Sequence, residues 1–386
     1  MKNIQLLNKI AKIGTDKLNP AVYNIGDAVE APEGIMVRSA NMLDMDFNPE
    51  LLAIARAGAG VNNIPLDKCT KEGIVVFNTP GANANGVKEL AVCALLLASR
   101  DIVDGIRWVD TLKDDADAAK TVEKNKSKFA GCELQGKTLG VIGLGAIGGL
   151  VANIAVRLGM KVVGCDPFLS VDAAWNLNHN ITHAATYEEV YKVADYITIH
   201  VPATADTKGM INATTMASMK DGVKIINLSR DSLVKSADMI EALASGKVSR
   251  YVTDFATPEL IGVKGAILIP HLGASTEESE DNCAVMAALQ MDDYLQNGNI
   301  KNSVNFPAVS MPRSGDARIC VLHENVTGIL TQLTGVMAEE GLNIENMTNK
   351  SRGNAAYTIF DVTGAIPASL NDDLNAIEAV LRVRVI

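Results

Sequence analysis

Aromatic residues, paired cysteines, long apolar runs and excess positive charge are all scarce or missing in this chain, and each shortage closes off a class of protein. Phe, Trp and Tyr make up 4% of the 386 residues, while hydrophobic residues make up 48%. The core must then come from Val, Ile, Leu and Ala, which suits an α/β enzyme. The six cysteines, at 69, 93, 132, 165, 283 and 320, include no CxxC pair and have no histidine at ligand spacing. They read as reduced thiols, and no metal is expected. The longest apolar run, Leu90 to Ala98, has nine residues, against the roughly 20 that cross a bilayer. The N-terminus also lacks a long apolar core, so the expectation is a cytoplasmic protein with no membrane partner. Lys and Arg number 35 against 45 Asp and Glu, a net charge of −10. Such a balance excludes a nucleic-acid partner. An anionic substrate has to be drawn in by local arginines against the overall field.

What is present is glycine in one telling arrangement. From Val141 an apolar strand runs into Gly143-x-Gly145-x-x-Gly148, and Leu150 to Leu158 then has helical spacing. The first glycine makes a tight turn, the second lets a pyrophosphate approach the backbone, and the third lets helix pack on strand. The helix start then offers its open amides to the phosphates. A second strand, Lys161 to Gly164, leads to Asp166, eighteen residues past Gly148. An acid there accepts from both ribose hydroxyls and repels a 2′-phosphate, so the expected cofactor is NAD, not NADP.

The length suggests two or three domains. Residues 1–98 alternate short apolar runs with helical segments and predict a small α/β domain with parallel strands, joined by a returning helix at 282–303. Residues 99–281 form the dinucleotide domain, opening with a polar, charged stretch up to Gly136 that reads as a crossing helix and an exposed connection. The substrate domain is then discontinuous, with a cleft between two lobes. Both lobes are expected as doubly wound parallel sheets of Rossmann or flavodoxin type. Residues 304–316 hold Pro307, Pro312 and Ser314-Gly315 and read as a linker. From Arg318 onward the pattern is strand, helix, hairpin around Arg352-Gly353-Asn354, a helix from Pro367 to Leu381 and a last strand. This βαββαβ order is ferredoxin-like.

Candidate chemistry lies just past apolar runs, where ligands sit beyond the carboxyl ends of parallel strands. Arg38 and Ser39 follow one run, and Arg56, Ala57 and Gly58 follow another. Two arginines in equivalent positions beside a glycine turn point to an anion site. In the cofactor half, Leu228-Ser229-Arg230, Asp254 to Glu259, and His271 to Thr276 each follow a run, so they plausibly meet at one sheet edge. Hydride transfer between a 2-hydroxy acid and NAD needs a base, a cation for the carboxylate and fixed geometry. His271 can be the base, Glu259 can hold its other ring nitrogen, and Arg230 can orient the carboxylate and polarise the developing carbonyl. His179 and His183 read as surface residues. His200 either lines the cofactor cleft or is structural.

These residues resemble the D-isomer-specific 2-hydroxyacid dehydrogenases, and most closely the branch that oxidises 3-phospho-D-glycerate and carries a C-terminal ACT domain. The resemblance spans nearly the whole chain. It rests on Arg56-Ala-Gly-Ala-Gly-Val, Phe77-Asn-Thr-Pro, the run from Phe129 to Gly140, the glycine turn, and Pro270-His-Leu-Gly-Ala-Ser-Thr. It implies a catalytic set of Arg230, Glu259 and His271. It also implies cofactor contacts from Gly143, Gly145, Ala146, Ile147, Gly148, Asp166, Leu228, Ser229, Arg230, Asp254, His271, Gly273 and Ala274. Substrate contacts would come from Arg38, Ser39, Arg56, Ala57, Gly58, Asn83 and Arg230. The chain departs from the family pattern at Asp231, where a glycine is usual, and at Thr257-Pro258-Glu259, where Thr-Glu-Pro is commoner. The implied reaction is NAD-dependent oxidation of 3-phospho-D-glycerate to 3-phosphohydroxypyruvate, the first step toward L-serine. Open alternatives are another D-2-hydroxy acid, such as glycerate, lactate or erythronate 4-phosphate, and a non-catalytic NAD-sensing protein. In the tail, His323, Asn325 and Asn343 match effector positions of ACT domains, which implies L-serine as effector, the alternative being a module that only dimerises. A homodimer or homotetramer is expected.

Overall fold

The computed structural model describes residues 1–386. The chain divides into two compact units, Met1–Ala82 with Glu280–Ile386, and Asn83–Ser279.

The first unit holds a parallel sheet of β1 (Lys2–Leu6), β2 (Tyr23–Gly26), β3 (Gly34–Val37), β4 (Ala53–Arg56) and β5 (Val75–Phe77), in the order β2-β1-β3-β4-β5. No apolar run marks β2, because an edge strand needs little burial. Only Tyr23 is buried there, with its hydroxyl donating to Asp292 at 2.7 Å. The helix Glu277–Asn297 lays Ala284, Ala287, Ala288, Met291 and Leu295 against Ile4, Met36, Ala55 and Phe77 of this sheet. Its small side chains permit close approach: a Cβ on Gly14 would lie 2.6 Å from that of Ala284.

The second unit is built on a seven-stranded parallel sheet of β6 (Thr138–Ile142), β7 (Lys161–Cys165), β8 (Ile181–His183), β9 (Tyr196–Ile199), β10 (Val223–Asn227), β11 (Val248–Thr253) and β12 (Ala266–Leu268). The order is β12-β11-β10-β9-β6-β7-β8, so direction of growth reverses at β6. The helix Ala84–Ser99 belongs to this unit, not to the first as a boundary at residue 98 would have it. Its Ala91, Ala94 and Ala98 share a core with Val151, Ala152 and Ala155 of the helix Ala146–Arg157. Helices Ile102–Asp110 and Ala118–Asn125 bury no residue, in keeping with the charge of that stretch.

The tail of the first unit is an antiparallel sheet of β13 (Ala317–Glu324), β14 (Asn343–Arg352), β15 (Ala355–Thr363) and β16 (Val380–Val385), ordered β14-β15-β13-β16. Both faces of β13 are buried, which is why its middle, Ile319 to Leu322, is a continuous apolar run. Ile319 and Val321 meet the helices Ile329–Glu339 and Leu370–Asn375, while Cys320 and Leu322 share a core with Tyr294 and Leu295. The second helix is shorter than the Pro367 to Leu381 expected, because Val380 onward pairs with β13. Polar anchors complete the docking. The fully buried Arg318 pairs with Asp361 at 2.6 Å and donates to Asn297 O at 2.8 Å. Arg384 donates to the carbonyls of Tyr294 and Leu295 at 3.1 and 2.9 Å, where a helix end carries partial negative charge. Residues 304–316, expected as a linker, also bury Phe306 and Val309.

Candidate active site

In the second unit the glycine turn joins β6 to the helix Ala146–Arg157 at the point where strand order reverses. Gly143 has φ +87°, and a Cβ there would lie 2.6 Å from His200 O. A Cβ on Gly148 would collide with the Gly143 carbonyl oxygen, whereas one on Gly145 would meet open space. The turn is therefore closed on the protein side and open at Gly145. No side chain caps this helix, so its first amides stay available to a ligand. Asp166 follows β7 and ties the turn in place: its oxygens accept from Leu144 N at 2.8 Å and Phe168 N at 2.9 Å. A carboxylate has about four acceptor sites, so capacity remains for ribose hydroxyls.

Behind the turn, His200 shares a hydrogen bond with Thr198 Oγ1 at 2.9 Å through Nε2, and its Nδ1 is buried without a partner. Burial pushes its pKa down to about 4, which keeps the ring neutral near pH 7.

Arg230, His271 and Asp254 follow β10, β12 and β11 at one edge of this sheet. The buried Asn227 organises the first of these ends, donating from Nδ2 to Arg230 O at 2.8 Å and accepting from Ser229 N at 3.2 Å. Ser229 in turn donates to Ile199 O at 2.7 Å. The Arg230 guanidinium is exposed and bonds only to the neighbouring Ser229 carbonyl, leaving its fork for a carboxylate. The His271 ring packs on Phe255 with centroids 4.7 Å apart. A cavity of about 310 Å³ is lined by Asp231, Asp254, Phe255, Ala256, Thr257, Ile269, Pro270 and His271. Asn227 and Phe255 carry no pattern that singles them out in the sequence. Glu259 lies outside this lining, exposed, with no hydrogen bond to His271. Pro258 opens a turn at that point and carries Glu259 toward solvent.

In the first unit Arg38 and Ser39 leave β3, and Arg56 ends β4 with Ala57 and Gly58 beyond it. Arg56 Nε donates to Arg38 O at 3.1 Å, and Arg38 Nη2 meets Glu280 Oε1 at 2.7 Å. Gly58 has φ +150°, and a Cβ there would collide with Arg56 Nη1, so glycine is what lets that guanidinium fold over the loop. Asn83 stands in the second unit as the residue before the helix Ala84–Ser99.

Residues 92–273 match the family model described as D-isomer specific 2-hydroxyacid dehydrogenase, NAD binding domain. A D-3-phosphoglycerate dehydrogenase of Synechocystis is 31% identical over 99% of this chain and 68% of its own length. A putative D-3-phosphoglycerate dehydrogenase of Schizosaccharomyces pombe is 30% identical over 89% of this chain and 77% of its own. The NAD+-bound crystal structure of 3-phosphoglycerate dehydrogenase from Entamoeba histolytica has a TM-score of 0.61 at 27% identity, over 79% of this chain and 98% of that one. The chain belongs to the D-isomer specific 2-hydroxyacid dehydrogenases.

As a member of that family it is an NAD-dependent oxidoreductase, and Asp254 tests the fit of the cofactor independently of the glycine turn. It is 2% exposed, and neither carboxylate oxygen has a hydrogen-bond partner. Burial raises its pKa, and the nearby His271 offsets this only in part. A buried acceptor without a donor is costly, and a bound nicotinamide carboxamide would be able to supply such a donor. Since the native pKa exceeds the unfolded one, the folded state binds the extra proton, and stability falls as pH rises through that window. Above that window the full cost is present. Asp254→Asn is therefore expected to raise the melting temperature without cofactor at pH 7 and to weaken NAD binding by about tenfold. Thermal melts with and without NAD check this, and a lowered melting temperature without NAD would overturn it.

This dehydrogenase carries its three effector candidates on the tail sheet. His323 is 1% exposed and uses both ring nitrogens, with Glu324 O and Thr358 Oγ1 each at 2.8 Å. Burial lowers its pKa, so it is held neutral. Asn325 Nδ2 donates to Gly353 O at 3.2 Å and Asn343 Nδ2 to Glu345 Oε1 at 2.8 Å. The register sets His323 opposite Ala356 and Asn343 opposite Thr363, at opposite ends of β15. One copy of the sheet does not gather all three. No helix of the chain is long and apolar enough to cross a membrane, and no group of three or more His, Cys, Asp or Glu could hold a metal ion.

Proposed function

We propose that this enzyme oxidises 3-phospho-D-glycerate to 3-phosphohydroxypyruvate with NAD, as the first step of L-serine biosynthesis. The observation that carries the substrate choice is the linked pair Arg38 and Arg56 at the carboxyl edge of the first sheet. A phosphate of charge near −2 calls for two cations, where a short unphosphorylated acid does not.

In this reading Arg38, Ser39, Arg56 and the Ala57-Gly58 backbone hold the phosphate, with Asn83 as a further polar contact. Arg230 fixes the carboxylate and stabilises charge as the carbonyl develops. His271 takes the hydroxyl proton. Bound NAD supplies the acceptor for the C2 hydride. Glu259 meets the other His271 nitrogen when the 258–262 turn moves inward, and Asp254 holds the carboxamide. Ala146, Ile147, Leu228, Gly273 and Ala274 complete the cofactor surface. The tail, with its β-α-β-β-α-β order, is assigned to the ACT class and to L-serine as effector. Asn325 of one copy would act with Asn343 of another, with His323 holding the end of β13 through its two bonds, which calls for a homodimer or homotetramer.

The test follows NADH oxidation with 3-phosphohydroxypyruvate, hydroxypyruvate, glyoxylate and pyruvate, each with and without L-serine. Turnover is expected to be fastest with the phosphorylated acid and to fall with serine. Preference for an unphosphorylated acid would discard the substrate, insensitivity to serine would discard the effector, and absence of turnover would favour an NAD-sensing protein.

A further inference from the structure

Both parallel sheets contain a point where strand order reverses, and the glycine turn accounts for only one of them. In the first sheet, β2-β1-β3-β4-β5, the reversal lies between β1 and β3. Their carboxyl ends lead into Leu7-Asn8 and into Arg38-Ser39-Ala40. Loops at such a reversal border the ligand crevice of an open parallel sheet. Here three successive amides point at one atom: Asn8 Oδ1 accepts from Arg38 N at 3.3 Å, Ser39 N at 3.0 Å and Ala40 N at 2.7 Å. Three converging N–H groups require that atom to be the carbonyl oxygen and not the amide nitrogen. The far side of the loop is pinned by Asn63, whose Nδ2 donates to Ala40 O at 2.7 Å.

The main chain at Arg38 is also where the second arginine is anchored, since Arg56 Nε donates to its carbonyl at 3.1 Å. The other restraint on Arg38 is its ion pair with Glu280, whose two side chains are 40% and 44% exposed. A pair so open to solvent holds a side chain only weakly. The placement of Arg38 and the Nε anchor of Arg56 therefore depend on the loop backbone, and Asn8 holds that backbone.

We propose that Asn8 is a positioning residue for substrate binding, its side-chain carbonyl shaping the 38–40 loop and so setting where Arg38 and Arg56 meet the anionic substrate. The proposal rests on the assignment of those arginines to the substrate site. Acting through Arg38, Asn8 bears on KM and not on hydride transfer.

Steady-state kinetics of the full chain with 3-phosphohydroxypyruvate and NADH, combined with amide hydrogen exchange, test it. Asn8→Ala is expected to raise KM about tenfold, with kcat changed by less than about twofold and NADH affinity unchanged. Exchange at the Ser39 and Ala40 amides speeds up, and Asn8→Asp, whose carboxylate accepts the same bonds, restores slow exchange. Arg38→Ala also raises KM, and in a chain carrying both Arg38→Ala and Arg56→Ala the further change Asn8→Ala raises KM no further. An unchanged KM in Asn8→Ala beside a raised KM in Arg38→Ala overturns the proposal and leaves the substrate site standing. An unchanged KM in both overturns the substrate site and this proposal with it. Losses of kcat and NADH affinity alongside KM, or faster exchange that Asn8→Asp does not reverse, reduce Asn8 to a purely structural residue.

Discussion

Replacing His271 by Asn is expected to lower turnover by about 10²- to 10⁴-fold, the range that a positioned acid or base contributes, while NADH affinity stays at its wild-type value. His271 lines the candidate cavity, packed on Phe255. Asparagine keeps polarity and removes the titrating ring, so loss of turnover without loss of cofactor separates proton transfer from binding. An unchanged turnover number would remove His271 from its role. Glu259→Gln sharpens the test. Oxidation needs the neutral ring, and a carboxylate beside an imidazolium raises its pKa. Losing that carboxylate should then move the acid limb of the oxidation profile to lower pH. A profile that does not move would leave Glu259 where the structure has it, in solvent and unbonded to His271.

Arg230→Ala is expected to lower kcat/KM by about 10² to 10³, comparable to removing one donor aimed at developing negative charge. The geometry explains both the size and the specificity. Asn227 and Ser229 lock the main chain at Arg230, while the guanidinium has no acidic partner and bonds only to the adjacent carbonyl. Its charge is thus free of an acidic partner, as the proposed role requires. Arg230→Lys should recover only part of the loss, because an ammonium lacks the planar fork that grips a carboxylate at two points. The kinetics must show kcat falling together with kcat/KM. A rise in KM alone would mean that Arg230 binds the ground state and does not stabilise the transition state.

Local pattern carried much of this chain. The glycine turn, the strand before it and the acid after β7 all lie within about thirty residues, so steric need at each position is visible in the residue itself. Gly143 and Gly148 cannot bear a side chain where they sit, and Gly145 opens outward. The same holds for the apolar runs that became β3, β10 and β13. Two edge strands, β2 and β8, gave no comparable signal, and of them only β2 buries a side chain, Tyr23.

By itself, then, the sequence determined the two parallel sheets, the dinucleotide turn and the strand ends where Arg38, Arg56, Arg230 and His271 stand. Only the tertiary structure decided which groups meet there. It assigned the helix Ala84–Ser99 to the second unit, docked the tail sheet on Tyr294 and Leu295, and left Asp254 buried and unbonded while Pro258 turned Glu259 outward. It also placed Asn8 under three amides some thirty residues away. The reason is physical: secondary structure follows from neighbours along the chain, whereas desolvation and hydrogen-bond partnership depend on residues that packing alone brings together.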